Sequence, residues 1–256
     1  MWSLEIGQLI EALDLPASCR VDQRIPKKLL VENGAPTATD KRNITEGIEE
    51  IQWVASLKPS SIGVSEYRDE TREYLEIAVL EVALRQDAKA SRLIELIHRA
   101  IPYPVLLMLH SEVGVTLSLA HIRWAQNEAG KVVLDGELLA VNLSEPSPAW
   151  EVSSAFLRAL SITRQPRENL MVLYQGWLDT LAAFQAAQIT GTFIKSQTDE
   201  QAIARRASLL ACREIEQKIA ALRAAATKEK QVARQVALNL KIKQLQAKQQ
   251  QARAQL

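Results

Sequence analysis

Tyr74-Leu75-Glu76-Ile77-Ala78-Val79-Leu80-Glu81-Val82-Ala83-Leu84 and, further on, Pro104-Val105-Leu106-Leu107-Met108-Leu109 decide the fold between them. The first stretch is partly alternating and rich in residues that pack on a pleated surface. The second is a short, continuous apolar run of the kind that forms a strand buried on both faces. Between them Leu93, Ile94, Leu96, Ile97 and Ile101 recur at helical spacing. Strand, helix, strand in that order predicts an α/β (α+β) domain.

Working outward, Val115–Arg123 alternates again, Val132–Leu143 supplies another strand, and Ile62 with Val64 reads as a short one. The expectation is a mixed sheet of about four or five strands with flanking helices. Upstream, Leu4, Leu9, Ile10 and Leu13 predict a helix with Ser3 as its N-cap, and Pro26 and Gly34 suit the two ends of a short second one. Thr39 or Asp40 can cap a third, long helix with Ile44, Ile48, Ile51 and Val54 on one face, stopped before Pro59. Downstream, Ser147-Pro148 opens a helix through Leu160, and 166–187 continues helically.

Beyond Thr190-Gly191-Thr192, residues 198–256 contain no Gly or Pro and are rich in Ala, Gln, Lys, Arg and Leu, all strong helix formers. Ile215, Ile219, Leu222 and Ala226 form one apolar seam, and Leu238, Ile242 and Leu245 a second. Val232 and Val236 fall about one position off the second seam, which marks a break, a widened stripe or a turn near Ala224–Lys230. The reading is therefore an α/β domain over 1–194 and a basic coiled-coil arm over 195–256, either one long helix or a hairpin, with Ile219, Leu222, Leu238, Ile242 and Leu245 available for docking or homo-oligomerisation.

Charge separates the two parts. The whole chain of 256 residues carries a formal charge of +1, but 195–256 holds 13 Lys/Arg against 5 Asp/Glu, leaving 18 against 25 for 1–194. An acidic body with a basic arm points to an anionic partner for the arm. Lys228, Lys230, Arg234, Lys241 and Lys243 are its densest basic stretch, suited to sequence-blind phosphate contact with DNA. No aromatic residue follows Phe193, so base stacking from the arm is not expected. The N-terminal stretch lacks the basic cluster of a signal peptide and no apolar run is long enough to span a bilayer, so a cytoplasmic location without membrane contact is expected.

Chemistry is sparse. Glu81, mid-strand, fits a metal-dependent nuclease pattern only in part. That pattern needs an upstream Asp to pair with the acid and a Lys two residues after it to orient water, whereas position 83 is Ala. His98, His110 and His121 have no zinc spacing, Cys19 and Cys212 read as reduced thiols, and no Gly-rich phosphate loop occurs. No cofactor or metal is expected. In Ile101-Pro102-Tyr103-Pro104, a rigid helix-to-strand turn, Tyr103 is a candidate docking residue.

Ile25-Pro26-Lys27-Lys28, Glu50-Ile51-Gln52-Trp53, Leu80-Glu81-Val82, Ala100-Ile101-Pro102-Tyr103-Pro104, and Lys228-Glu229-Lys230-Gln231 followed by Val236-Ala237-Leu238-Asn239 together resemble the bacterial family called domain of unknown function 4391. The resemblance runs in order over nearly the whole chain. It departs at Val232, where the family usually shows an aromatic residue. The resemblance implies an accessory protein of restriction-like antiphage defence loci, beside helicases and DNA methyltransferases, and it assigns no catalytic residue. The expected function is a noncatalytic accessory subunit that docks on a larger partner and contacts DNA through the arm. The alternatives are a nuclease centred on Glu81 and a structural homodimer.

Overall fold

The computed structural model describes residues 5–126, 131–144 and 149–256, so the helix cap expected at Ser3 and the helix start at Ser147-Pro148 lie outside the described residues. In chain order the elements are α1 (Ile6–Ala12), β1 (Arg20–Arg24), α2 (Lys27–Gly34), α3 (Ala38–Gly47), β2 (Ile48–Leu57), α4 (Pro59–Ile62), β3 (Tyr67–Arg68), β4 (Glu73–Tyr74), β5 (Ile77–Leu84) and α5 (Ala90–Ala100). They continue with β6 (Val105–Ser111), β7 (Gly114–Leu119), β8 (Ile122–Trp124), β9 (Val132–Leu134), β10 (Leu139–Asn142), α6 (Trp150–Leu160), α7 (Leu170–Thr190), α8 (Asp199–Lys228) and α9 (Val232–Arg253). Two units divide the chain, Met1–Leu181 and Ala182–Leu256, a division that falls inside α7.

In the first unit β5 and β6 run parallel, joined by α5, with Leu80 opposite Leu107 and Ala78 opposite Val105. β2 pairs antiparallel on the other side of β5, β1 antiparallel on β2, and β7 and β10 complete a six-stranded mixed sheet in the order β1-β2-β5-β6-β7-β10. The mixed α/β reading holds, and the sheet is larger than the four or five strands expected. Two small ribbons, β3-β4 and β8-β9, lie outside it. Ile62 closes α4 rather than starting a strand, and the two strands expected at 115–123 and 132–143 each split, into β7 with β8 and into β9 with β10.

One face of the sheet packs on α2, α3 and α5. Ile48, Ile51, Ala78, Leu80, Val82, Val105, Leu107 and Leu109 meet Leu30, Ile44, Leu93, Ile94, Leu96 and Ile97 in a single buried cluster. Each such side chain contributes about 1.5–3 kcal/mol by leaving water. α5 is amphipathic, with its charges turned outward in an Arg92–Glu95–Arg99 ladder. α2 approaches it closely at Gly34, where a Cβ would stand 2.5 Å from Ala100 Cβ and 2.9 Å from the Leu96 carbonyl oxygen. By strand alternation Leu106 and Met108, also fully buried, point to the opposite face. Tyr174 of α7 ties down β6 and β7. Its hydroxyl donates to the Val105 carbonyl (2.7 Å) and accepts from the Ala120 N–H (2.9 Å).

The long helix expected through Val54 is overturned. α3 ends at Gly47, its N-cap is Thr37 rather than Thr39 or Asp40, and the chain continues as strand β2. Bulges between Ile48 and Glu50 and between Trp53 and Ala55 are the reason for the misleading pattern. Each bulge inserts an extra residue, so Ile48 and Ile51 face the same core at a spacing of three, and the strand imitates a helical period.

In the second unit α8 and α9 pack against each other through a three-residue link. Gln235 Nε2 donates to the Ala226 carbonyl (3.3 Å), Gln249 Nε2 to Glu216 Oε1 (2.8 Å), and Arg253 pairs with Glu216 (3.2 Å), a descending register that makes the arm an antiparallel hairpin. Of the two forms open from sequence, the hairpin is the one adopted.

Candidate functional site

Three places in the molecule could carry function, and they differ in what they offer chemically. On the sheet face opposite α5, the registers of β2, β5 and β6 bring Gln52 opposite Glu81, Glu50 opposite Ala83, and Ala83 opposite His110. These five residues line an open cleft of about 300 Å³. Glu81 Oε1 lies 3.2 Å from His110 Nε2, while Glu50 is turned to Arg24 at 3.4 Å. Glu50 is a second carboxylate in the cleft, hidden from sequence reasoning because the bulged β2 carries a helix-like apolar spacing. Among the described residues no group of three His, Cys, Asp or Glu side chains converges as a metal site. At position 83 the methyl group of Ala faces the cleft where a nuclease would need an ammonium.

Tyr103, in the turn between α5 and β6, is half-buried and borders an apolar cleft of about 140 Å³ with Leu29, Trp53, Ile101 and Pro102. Leu29 is 47% exposed there, unusually so for a leucine beside a core. Trp53 is fixed by its indole N–H, which donates to the Ala55 carbonyl at 2.9 Å. The cleft can accept an apolar side chain.

The arm is the third place. Lys228, Lys230, Arg234, Lys241 and Lys243 are all exposed, and none of them makes an ion pair among the described residues. α9 carries Arg234, Lys241, Lys243, Lys248 and Arg253 and no acidic residue. Arg234, Lys241 and Lys248 step by seven, so they form a straight row about 10 Å apart on one flank of the helix. Ile219 and Ile242 are buried, and Leu222, Leu238 and Leu245 half-buried, so the expected docking seam is largely occupied by the hairpin's own packing.

Sequence reasoning also missed a polar chain in the first unit. The Tyr74 hydroxyl donates to His121 Nδ1, which leaves Nε2–H to donate to Gln175 Oε1 (2.7 Å), whose amide donates to Asp179 Oδ1 (2.9 Å). Burial pushes the Tyr74 phenol far above its usual pKa, so it stays a donor. A second pair missed from sequence is Arg92 with Asp40. The guanidinium binds both carboxylate oxygens (2.8 and 2.9 Å) and, with Thr37, holds the Asp40 carboxyl at about 2. Partners separated by about fifty residues leave no local signal. His98 is fully buried, bonded to Ser118 Oγ at 3.0 Å, and desolvation lowers its pKa to about 3. It is a neutral core residue, and both cysteines are buried and free.

A six-stranded mixed α/β unit followed by a basic helical hairpin defines a class of architecture rather than an activity. The chain belongs to the family described as Domain of unknown function (DUF4391), whose model matches residues 13–248. No curated protein and no solved structure matches the chain. Among the described residues no helix is long and apolar enough to cross a membrane.

Proposed function

We propose that this chain is a noncatalytic accessory subunit of a bacterial antiphage defence or restriction-like complex, in which the arm contacts the phosphate backbone of DNA. The observation that carries the DNA contact is α9: five cations, no acid, and four of the five exposed without an ion partner among the described residues. Cations not neutralised by their own chain are free to displace counterions from a nucleic acid, a contact blind to sequence and sensitive to salt. In this reading the cleft beside Tyr103 takes an apolar side chain of the larger partner, a helicase or DNA methyltransferase. The defence setting rests on the family resemblance alone.

A second reading, a metal-dependent nuclease, draws support from Glu50 and Glu81 lining one cleft. The two readings separate in a single comparison on duplex DNA. Glu81→Gln is expected to bind DNA as the parent chain does, and neither protein to cleave it with magnesium or manganese. Metal-dependent cleavage lost in Glu81→Gln would replace the first reading with the second.

A further inference from the structure

Phosphate contact leaves one feature of the arm unexplained. Val232, Val236 and Leu240 are 73%, 52% and 57% exposed and follow one another at intervals of four, so they lie along one side of α9. At about 100° per residue that side is opposite the side of Leu238, Ile242, Leu245 and Gln249, which faces α8. α9 is therefore apolar on two opposite sides, and α8 accounts for only one. DNA phosphates have no use for such a stripe.

We infer that a second copy of this chain docks on the outward side of α9, antiparallel and centred on Val236. A two-fold axis there places Val236 on its own counterpart and Val232 against Leu240 of the second copy. It also carries Lys243, exposed and without an ion partner among the described residues, past Val232 of the second copy to the N-terminal end of that copy's α9, where Glu229 of the three-residue link accepts from the N–H of the N-cap Gln231. Glu229 accepts one bond, from the Gln231 N–H at 2.8 Å through Oε1, and its Oε2 has none among the described residues. A parallel pairing would instead set Lys243 against Lys243, so the charges choose the antiparallel arrangement. The neighbours that would border the contact are Ala233, Ala237, Asn239, Gln244 and Gln250, all small or uncharged. Arg234, Lys241 and Lys248 fall on the flank and stay in water, so docking brings no cation row against another.

The helix-on-helix overlap, residues 232–240, spans only about two and a half turns, small beside a standard interface, so the dimer is weak and reversible. If the arm binds DNA as proposed above, dimerisation presents two cation rows at once; the dimer itself does not depend on that reading. Sedimentation equilibrium of the full chain, without nucleic acid and up to a few hundred micromolar, tests it. A monomer–dimer equilibrium is expected that Val236→Asp abolishes, with helicity unchanged because the position is exposed. Lys243→Glu and Glu229→Lys should each weaken it at least several-fold, and the two combined should restore it. A monomer at every concentration, a dimer indifferent to Val236→Asp, or charge reversals that fail to compensate would overturn the inference.

Discussion

Ile44, Ile48, Ile51 and Val54 step by four, three and three, and Ile215, Ile219, Leu222 and Ala226 step by four, three and four. The second set lies on one continuous helix, whereas the first begins in α3 and finishes in the bulged strand β2. Composition and partners make the difference. Around 215–226 the gaps are filled with Ala, Gln, Lys and Arg, residues that favour helix by themselves. Between Ile48 and Leu57 the chain offers Ile, Trp and Val, and strands stand ready on both sides, β1 and β5, to take its backbone hydrogen bonds. One segment is specified locally; the other is specified by neighbours distant in sequence, and its bulges disguise the period of two.

That contrast can be broken at its strand end first. Ile51 is 1% exposed between the sheet and three helices, so Ile51→Ala should cost about 3 kcal/mol, from lost transfer energy and a cavity that the packed layers cannot close. A urea midpoint unchanged from the parent chain would show that β2 does not hold the core as described.

Acid should act on the same unit, because the buried His98 lies in it. His98 has a folded pKa of about 3 against 6.5 when unfolded, so the unfolded chain binds more protons below neutrality. Stability is retained above 6.5 and lost as pH falls, by about 2 kcal/mol between pH 7 and pH 5. His98→Gln should flatten that part of the profile, and an equal slope in both proteins would assign the effect elsewhere. Asp40, held at about 2, adds a loss only at lower pH, as its carboxyl begins to take up a proton.

The helical end of the comparison predicts the smallest effect on stability. Ile219 is buried on α8, which packs on α9 in a two-helix hairpin that can relax, so Ile219→Ala should cost about 1.5 kcal/mol. The loss should appear as faster amide exchange within 215–226 and within its partner stretch in α9. Protection unchanged in both would mean that the hairpin is not held at this seam.

Legibility follows the same division. α5, β5, β6, α7 and the helical arm could be read because their apolar patterns are long and regular. β1 could not, since all five of its residues are exposed, with only Val21 apolar, and an edge strand of that kind leaves no alternation to find. Glu81 was visible as an acid in a strand, but Glu50, Gln52 and His110 joined its cleft only through register. The cations of the arm were visible from composition; that four of the five on α9 stand exposed and without an ion partner among the described residues required the structure. The outward placement of Val232 and Val236 was foreshadowed by their misfit with the second seam, and only the direction of α8 made that misfit a surface.

The central claim, that an unneutralised helical arm meets nucleic-acid phosphates, is tested most directly by the salt dependence of duplex binding. For the full chain, the logarithm of the association constant should fall linearly with the logarithm of salt concentration, with about 0.9 of slope for each phosphate neutralised. Replacing Lys228, Lys230, Arg234, Lys241 and Lys243 by Gln should weaken binding equally for unrelated duplex sequences and lower the slope by up to about 4.5. The same affinity and slope in the parent and the neutralised arm would contradict the account and leave the arm as a protein-docking element.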